Sequence, residues 1–485
     1  MERTAQRPAR LGSKLRALRR SQGLTQAGLA KVLGISPSYL NLIEHDRRPL
    51  SATLLLDLAQ RFDLDLKQLG SDADAELLGE LMEALGDPLF EELDVPNHEV
   101  QELVTAAPAV SRAVAQLYGA YRHLRDAAEA GAGGPAGEAL AHSFARGRLP
   151  TEQVSIFIQA CANHFAEVEE AADALRSAAQ LQPDDLTHGM VRYLERQLGI
   201  RVQVTRPAQE AGAVRRYDPR RKLLSLSEAL PAGSRAFQLA HQLALLTAHE
   251  LLDRLVDDPR LTTDESRALG RVVLANYFAG AVLMPYEDFR QAAREERHDV
   301  ELLQNRFGAT FEMVCHRLTT LQRPGATGVP FHFLRVDIAG NISKWFSASG
   351  MPMPRYGGSC PRRNLHTAFL TPGLITAQLS RTADGKVWFS LARTISRATR
   401  GYHVPPSVQA VTLGCAVEHA PALVYADRVD LHNVPAAVPI GTTCRLCQQP
   451  DCEQRAMPPA HEPLRINENE RGHSFHGPIR VPRRG

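Results

Sequence analysis

Cys444, Cys447 and Cys452 lie within nine residues of one another, spaced C-x2-C-x4-C in a proline-bounded loop. Thiolates held this close converge on one metal ion or cluster, because the short spacers fold as tight turns. The spacing opens as a zinc knuckle does, but Cys452 stands at the histidine position and Met457 at the last cysteine. A fourth ligand must come from elsewhere, and Cys360, Cys415 and His461 are the candidates, with Cys360 assigned here. Iron–sulfur is favoured over zinc, although spacing alone does not choose between them. Three free thiols in a loop is the plainer alternative. Cys161 and Cys315 lie in helical apolar patterns and read as core residues.

A second group falls short of its chemistry. His241-Gln242-Leu243-Ala244-Leu245 occupies the place where a zinc peptidase carries H-E-x-x-H. In that motif two histidines one helical turn apart bind the metal and the glutamate activates water. Here Gln242 and Leu245 replace the glutamate and the second histidine. The stretch from Leu274 to Pro285 resembles the third-ligand helix of the ImmA/IrrE peptidases, with Leu274 in place of the ligating glutamate. One ligand of three cannot hold catalytic zinc, and glutamine is no general base. His249-Glu250 nearby lacks a second histidine and does not restore the motif. No catalytic residue is assigned, and the chain is expected not to be an enzyme.

The third group suits nucleic acid. Thr25, Gln26, Ser36, Ser38, Tyr39 and Asn41 offer hydroxyl and amide groups that bond phosphates or base edges, while Arg47 and Arg48 suit phosphates. The elements that must present them are short helices. Leu11, Leu15 and Leu18 recur at helical spacing; Thr25 caps a helix that ends at Gly34; Ser36 caps the next, with Pro37 at its first position. Leu24, Leu29, Ala30, Leu33, Ile35, Leu40 and Ile43 would pack this bundle, and a further helix follows over 51–62. Two short helices with a tight turn lay the second in a major groove. The segment resembles the Cro/cI-type helix-turn-helix family, and double-stranded DNA is the expected partner.

Charge agrees with that placement. Residues 1–50 carry ten Lys or Arg against three Asp or Glu, and residues 51–105 carry two against fourteen. A basic head followed by an acidic segment suits a DNA-contacting module joined to a body that avoids DNA. At 485 residues the chain reads as several domains: a head at 10–70, an acidic helical linker at 71–135, a helical domain at 136–325, a C-terminal domain at 326–472 and a disordered tail at 473–485. Strands are expected at 201–204, 222–226, 331–338 and 387–391. The expected fold class is mainly α in the N-terminal and central parts, with an α+β C-terminal domain. Seven cysteines are too sparse for a secreted disulfide scaffold, and no stretch has the apolar length of a membrane helix, so a cytoplasmic protein is expected.

Together the segments resemble the short-chain fatty acyl transcriptional regulator family, which includes regulators of the glyoxylate and methylcitrate cycles. The resemblance spans about 10–460 and rests on QLAHQLA at 238–244, FHFLRVD at 331–337, FSASG at 346–350, RYGGSC at 355–360 and GTTCRLCQQPDC at 441–452. Lys344-Trp345 departs from it, standing where relatives tend to have an arginine-rich pair. The resemblance implies a regulator that senses short-chain acyl-CoA, with an iron–sulfur cluster in some relatives. A coenzyme A site needs cations for phosphates and an apolar slot for the acyl chain. Arg335, Lys344, Arg355, Arg362 and Arg363 are candidate cations; Tyr277, Phe278, Phe331 and Phe333 are candidates for the slot. His332 reads as a buried hydrogen-bonding histidine rather than a ligand. Helix-turn-helix heads usually read paired half-sites, so a homodimer or higher homo-oligomer is expected.

Overall fold

The computed structural model describes residues 25–44, 72–90, 97–129, 149–206, 213–353, 359–396, 407–444 and parts of 447–458, with a few isolated positions besides. Arg47, Arg48, Arg355, the Gly131 to Pro135 stretch and the expected tail at 473–485 lie outside them, as do the expected helices around Leu11 to Leu18 and over 51–62 except for isolated positions. The chain forms two compact units, Met1–Tyr121 and Arg122–Gly485.

In the first unit, α1 (Gln26–Val32) and α2 (Pro37–Glu44) form where the cap residues predict. The Thr25 hydroxyl accepts from the Gly28 amide at 3.1 Å, and the Ser36 hydroxyl accepts from the Tyr39 amide at 3.1 Å. Gly34 takes a φ of 64°, the left-handed backbone that reverses the chain between the two helices. Leu29, Ala30, Leu33, Leu40 and Ile43 make the core, with Ile35, Tyr39 and Leu54 packed on it. The segment expected to be an acidic helical linker contains α3 (Asp72–Leu85), α4 (Asn97–Ala106) and α5 (Pro108–Glu129). Leu77, Leu81, Val100 and Val104 form its core, and Tyr118 donates to buried Asp87 at 2.7 Å.

The second unit opens with α6 (Pro150–Ala160), α7 (Ala166–Ala178) and α8 (Leu186–Leu198). A small sheet follows, β1 (Arg201–Thr205), β2 (Arg215–Asp218) and β3 (Leu223–Ser227), in the order β1-β3-β2. Next come α9 (Ala232–Thr247), α10 (His249–Val256), α11 (Asp264–Leu283), α12 (Tyr286–Glu295), α13 (Val300–Phe307) and α14 (Phe311–Thr319). Among the described residues no single helix is long and apolar enough to cross a membrane.

The larger sheet contains β4 (His332–Asp337), β5 (Ile342–Ser347), β6 (Thr376–Arg381), β7 (Val387–Ser396), β8 (Val408–Ala416) and β9 (Val438–Pro439), in the order β5-β4-β8-β7-β6-β9. Alternation along its strands sorts two cores. Phe333, Phe389, Leu391, Val411, Leu413 and Cys415 join the helices in one core, while Leu334, Val336, Ala392 and Ala410 meet short helix α15 (Asn364–Thr367) in another. The chain is thus helical at first and α+β toward its C-terminus, as the sequence predicts.

Candidate functional site

In the helix-turn-helix pair, both cap hydroxyls have a structural task. Thr25 and Ser36 accept backbone hydrogen bonds that start α1 and α2, yet both residues remain exposed and keep a hydroxyl hydrogen to donate. Gln26 is half-buried. Tyr39 is also half-buried and packs partly against the head's core. Asn41 is exposed on α2, one residue from Leu42, itself 38% exposed. The helix therefore offers a polar face near its start, with Leu40 and Ile43 holding its other side down. Pro37–Glu44 includes Ser38, whose side chain lies outside the described set, as do Arg47 and Arg48.

The peptidase-like site is closed by a cation of the protein's own. His241 is 4% exposed on α9, with Gln242 beside it at 5%. Arg215 of β2 brings Nη1 to 2.5 Å from His241 Nδ1. Guanidinium can only donate, so the imidazole accepts there and is neutral. Burial, followed by the Arg215 charge, draws the His241 pKa down to about 4, while a hydrogen bond with the Val272 backbone opposes the shift. Leu274 on α11, at the expected position of a third ligand, is fully buried. Nδ1 is thus engaged by Arg215. Nothing in the H-x-x-x-L pattern announced Arg215, which comes from a strand 26 residues earlier.

The candidate acyl-CoA residues divide. Tyr277, Phe278, Phe331 and Phe333 are 3%, 1%, 1% and 0% exposed, so they are core residues rather than walls of an open slot. Tyr277 donates to Glu169 Oε1 at 2.6 Å, and Arg317 pairs with both oxygens of the same carboxylate at 2.6 and 2.9 Å. Burial alone would raise the Glu169 pKa; Arg317 outweighs it and holds the carboxyl below its ordinary value. This buried triad joins α7, α11 and α14, and sequence reasoning missed two of its three members. Phe333, Arg335 and Lys344 do converge. Arg335 and Lys344 are cross-strand partners on β4 and β5, Arg335 pairs with Glu312 of α14 at 2.5 Å, and Lys344 Nζ stands 6.0 Å from the Phe333 ring centre. Burial draws the Lys344 pKa down to about 8. His332 is a core histidine, as expected: it is 1% exposed and hydrogen-bonded with Ser349 at 2.9 Å, and burial followed by the Arg363 charge takes its pKa to about 3.

The cysteine loop is organised by a residue the spacing does not reveal. Arg455, 6% exposed, donates to the carbonyls of Cys444 at 2.7 Å, Cys447 at 2.9 Å and Gln449 at 2.8 Å. Gly441 lets the loop fold down, since a Cβ there would lie 2.5 Å from the Cys447 sulfur. Burial pushes the Cys447 thiol pKa up, and Cys360 and Cys452 are near enough to add to the shift. Cys360 is buried with Met351, Trp388 and Ile440. Among the described residues no three Cys, His, Asp or Glu side chains meet as a ready-made metal site. The thiols nevertheless share one neighbourhood, and beside Cys360 the buried guanidinium of Arg363 has two nitrogens without a hydrogen-bond partner. A buried guanidinium with unpartnered nitrogens favours an anion, such as a thiolate, beside it.

A helix-turn-helix head followed by a peptidase-like domain, with Gln242, Leu245 and Leu274 at the expected catalytic and ligand positions, defines a DNA-binding regulator as the class of protein. Residues 15–69 match the helix-turn-helix family, 195–319 the IrrE N-terminal-like domain and 320–476 the short-chain fatty acyl coenzyme A regulator C-terminal family. The chain belongs to the short-chain fatty acyl coenzyme A regulators and is a DNA-binding transcriptional regulator. It is 41% identical over 462 residues to the propionyl-CoA carboxylase regulator of Cereibacter sphaeroides, covering 95% of this chain and 97% of the relative. It is 39% identical over 460 residues to the HTH-type transcriptional regulator PrpR of Mycobacterium tuberculosis, covering 94% of this chain and 93% of the relative. With RamB of that organism the identity is 38% over 467 residues, covering 95% and 96%. A solved structure of a Mycobacterium tuberculosis transcriptional regulator superposes with a TM-score of 0.65 at 38% identity, covering 68% of this chain and all of that one.

Proposed function

We propose that this chain controls promoters of short-chain acyl metabolism and that acetyl- or propionyl-CoA is its effector. The observation that supports this most is the pairing of a capped α2, with Ser36 and Asn41 exposed, with similarity over 95% of the chain to a propionyl-CoA carboxylase regulator. The protein works in the cytoplasm as a homodimer or higher oligomer, because two heads must meet paired half-sites. Ser36, Ser38, Tyr39 and Asn41 face DNA together with Thr25 and Gln26, and Arg47 and Arg48 bind phosphate. Val110 and Leu117 on α5, 54% and 73% exposed, give the head's unit apolar surface for a second copy.

Arg335 and Lys344, with Arg355, are the proposed cations for the coenzyme A phosphates, with Lys344 held near the buried Phe333 ring. An acyl-CoA that prefers one arrangement of the heads shifts the population toward it, which requires different affinities for the two states. No peptidase chemistry is proposed for the domain, supported by Arg215 on the Nδ1 that His241 would offer a metal and by Gln242, Leu245 and Leu274 at the other expected positions. Cys444, Cys447, Cys452 and Cys360 hold an iron–sulfur cluster, with zinc the alternative; its part is to report redox or iron state to the same domain. Promoter binding by variants tests the DNA face. Asn41→Ala should relax sequence preference by about 1–3 kcal/mol, whereas Arg47→Ala should weaken all sequences alike and reduce the salt slope by about one. Indifference of both variants would remove the assignment.

A further inference from the structure

Arg363 is only 5% exposed, and its Nε and Nη2 are buried without a hydrogen-bond partner. A guanidinium taken out of water and left unpaired is among the most costly things a fold can hold, so an anion belongs beside it. Among the described residues no carboxylate registers on its charge; the group that does is the thiol of Cys360. The two imidazoles within its influence, His332 and His366, are hydrogen-bonded with Ser349 and Ser359 at 2.9 and 2.7 Å, and neither can supply negative charge.

Cys360 packs with Trp388 of β7 in the large sheet. Cys360 packs with Ile440, and the next residue, Gly441, lies against Cys447. Cys447 in turn neighbours Cys452. Arg455, the other buried cation of this region, donates to the loop carbonyls of Cys444, Cys447 and Gln449. We propose that Arg363 is the fixed counter-cation of a thiolate-bound metal centre formed by Cys360 and the 444–452 loop. The inference rests on the reading of these cysteines as metal ligands given above. Each thiol that binds metal releases its proton to solvent, and three or four thiolates on a divalent ion or iron–sulfur core leave net negative charge. Arg363 is a positioning residue: it holds that charge without ligating the metal. A phosphate of coenzyme A is the competing anion, but Arg363 lies one turn from Cys360, its amide donating to the Cys360 carbonyl at 3.2 Å.

The test uses the full chain, prepared anaerobically, stripped with chelator, and reloaded with ferrous iron plus sulfide or, separately, with zinc. Arg363→Met, Arg363→Gln and Arg363→Lys are compared with wild type for metal per chain, retention against chelator, visible absorbance and thermal midpoint. The methionine and glutamine variants should lose about tenfold or more in metal retention, and the lysine variant should keep most of it. Stripped Arg363→Met should melt no lower than stripped wild type, because an unpaired charge has been removed; only the loaded proteins should differ in favour of wild type. Retention equal to wild type in both neutral variants overturns the inference and leaves the cysteine reading standing. So does weakened propionyl-CoA binding with metal retention intact, or a midpoint loss that is the same with and without metal. Failure of wild type to take up either metal sinks both readings together.

Discussion

His241 and Glu169 show how single buried groups tie this fold to pH. The His241 pKa falls from 6.5 to about 4 on folding, so the native state refuses a proton that the unfolded chain accepts. Its contribution to stability is fully present above pH 6.5 and is lost as the pH falls toward 4. Glu169 has the same sign at lower pH: its carboxyl is held down by Arg317, so its contribution fades only in acid. Urea unfolding followed from pH 7.5 to pH 4.5 should show falling stability, with a shallower slope in His241→Gln; an equal slope would detach the effect from His241. At the buried pair, Glu169→Gln leaves the Arg317 guanidinium uncompensated and should cost about 3–5 kcal/mol in equilibrium unfolding, whereas Glu169→Leu with Arg317→Met should recover much of it. A loss below about 1 kcal/mol for the single variant would mean the pair is more solvated than its 2–3% side-chain exposure implies.

Among the elements, α2 carries two demands at one residue. Ser36 starts the helix through its bond to the Tyr39 amide and is also one of the proposed DNA contacts. Ser36→Ala should remove about 1 kcal/mol of stability from the head and weaken promoter binding. Ser36→Asp separates the two roles, since aspartate caps well but repels phosphate: stability should hold while binding falls. Parallel loss of both in the aspartate variant would contradict the placement of Ser36 at the DNA face. The elements also show what sequence could and could not reveal. Caps at Thr25 and Ser36, the turn at Gly34 and the apolar run of α9 are local signals, and each marks its helix correctly. Strand β8 escaped because both its faces are buried, so VQAVTLGCA lacks the alternation that betrays a half-exposed strand. Strand β2 escaped for the opposite reason, being four mostly polar residues held by pairing with β3.

At the scale of the whole molecule, the order of segments was legible because each leaves a dense local string, and full-length similarity to known regulators agrees with it. The chemistry inside them was less so. Arg215, Arg317, Arg363 and Arg455 act on residues brought near by folding, and an arginine's sequence neighbours do not say whether it will be buried. The burial of the aromatic candidates was hidden for a related reason: Tyr277, Phe278, Phe331 and Phe333 are what a core of this size uses to fill space. The regulatory claim is a property of the whole chain, because effector and DNA sites lie in different segments and communicate only through states that both can bias. Its most direct test is a binding titration on a genomic fragment that wild-type protein itself enriches. Saturating propionyl-CoA should change the apparent Kd for that fragment by about fivefold or more, with free coenzyme A far weaker. An unchanged Kd across acetyl-, propionyl- and free coenzyme A, with anaerobically prepared protein, would contradict the account.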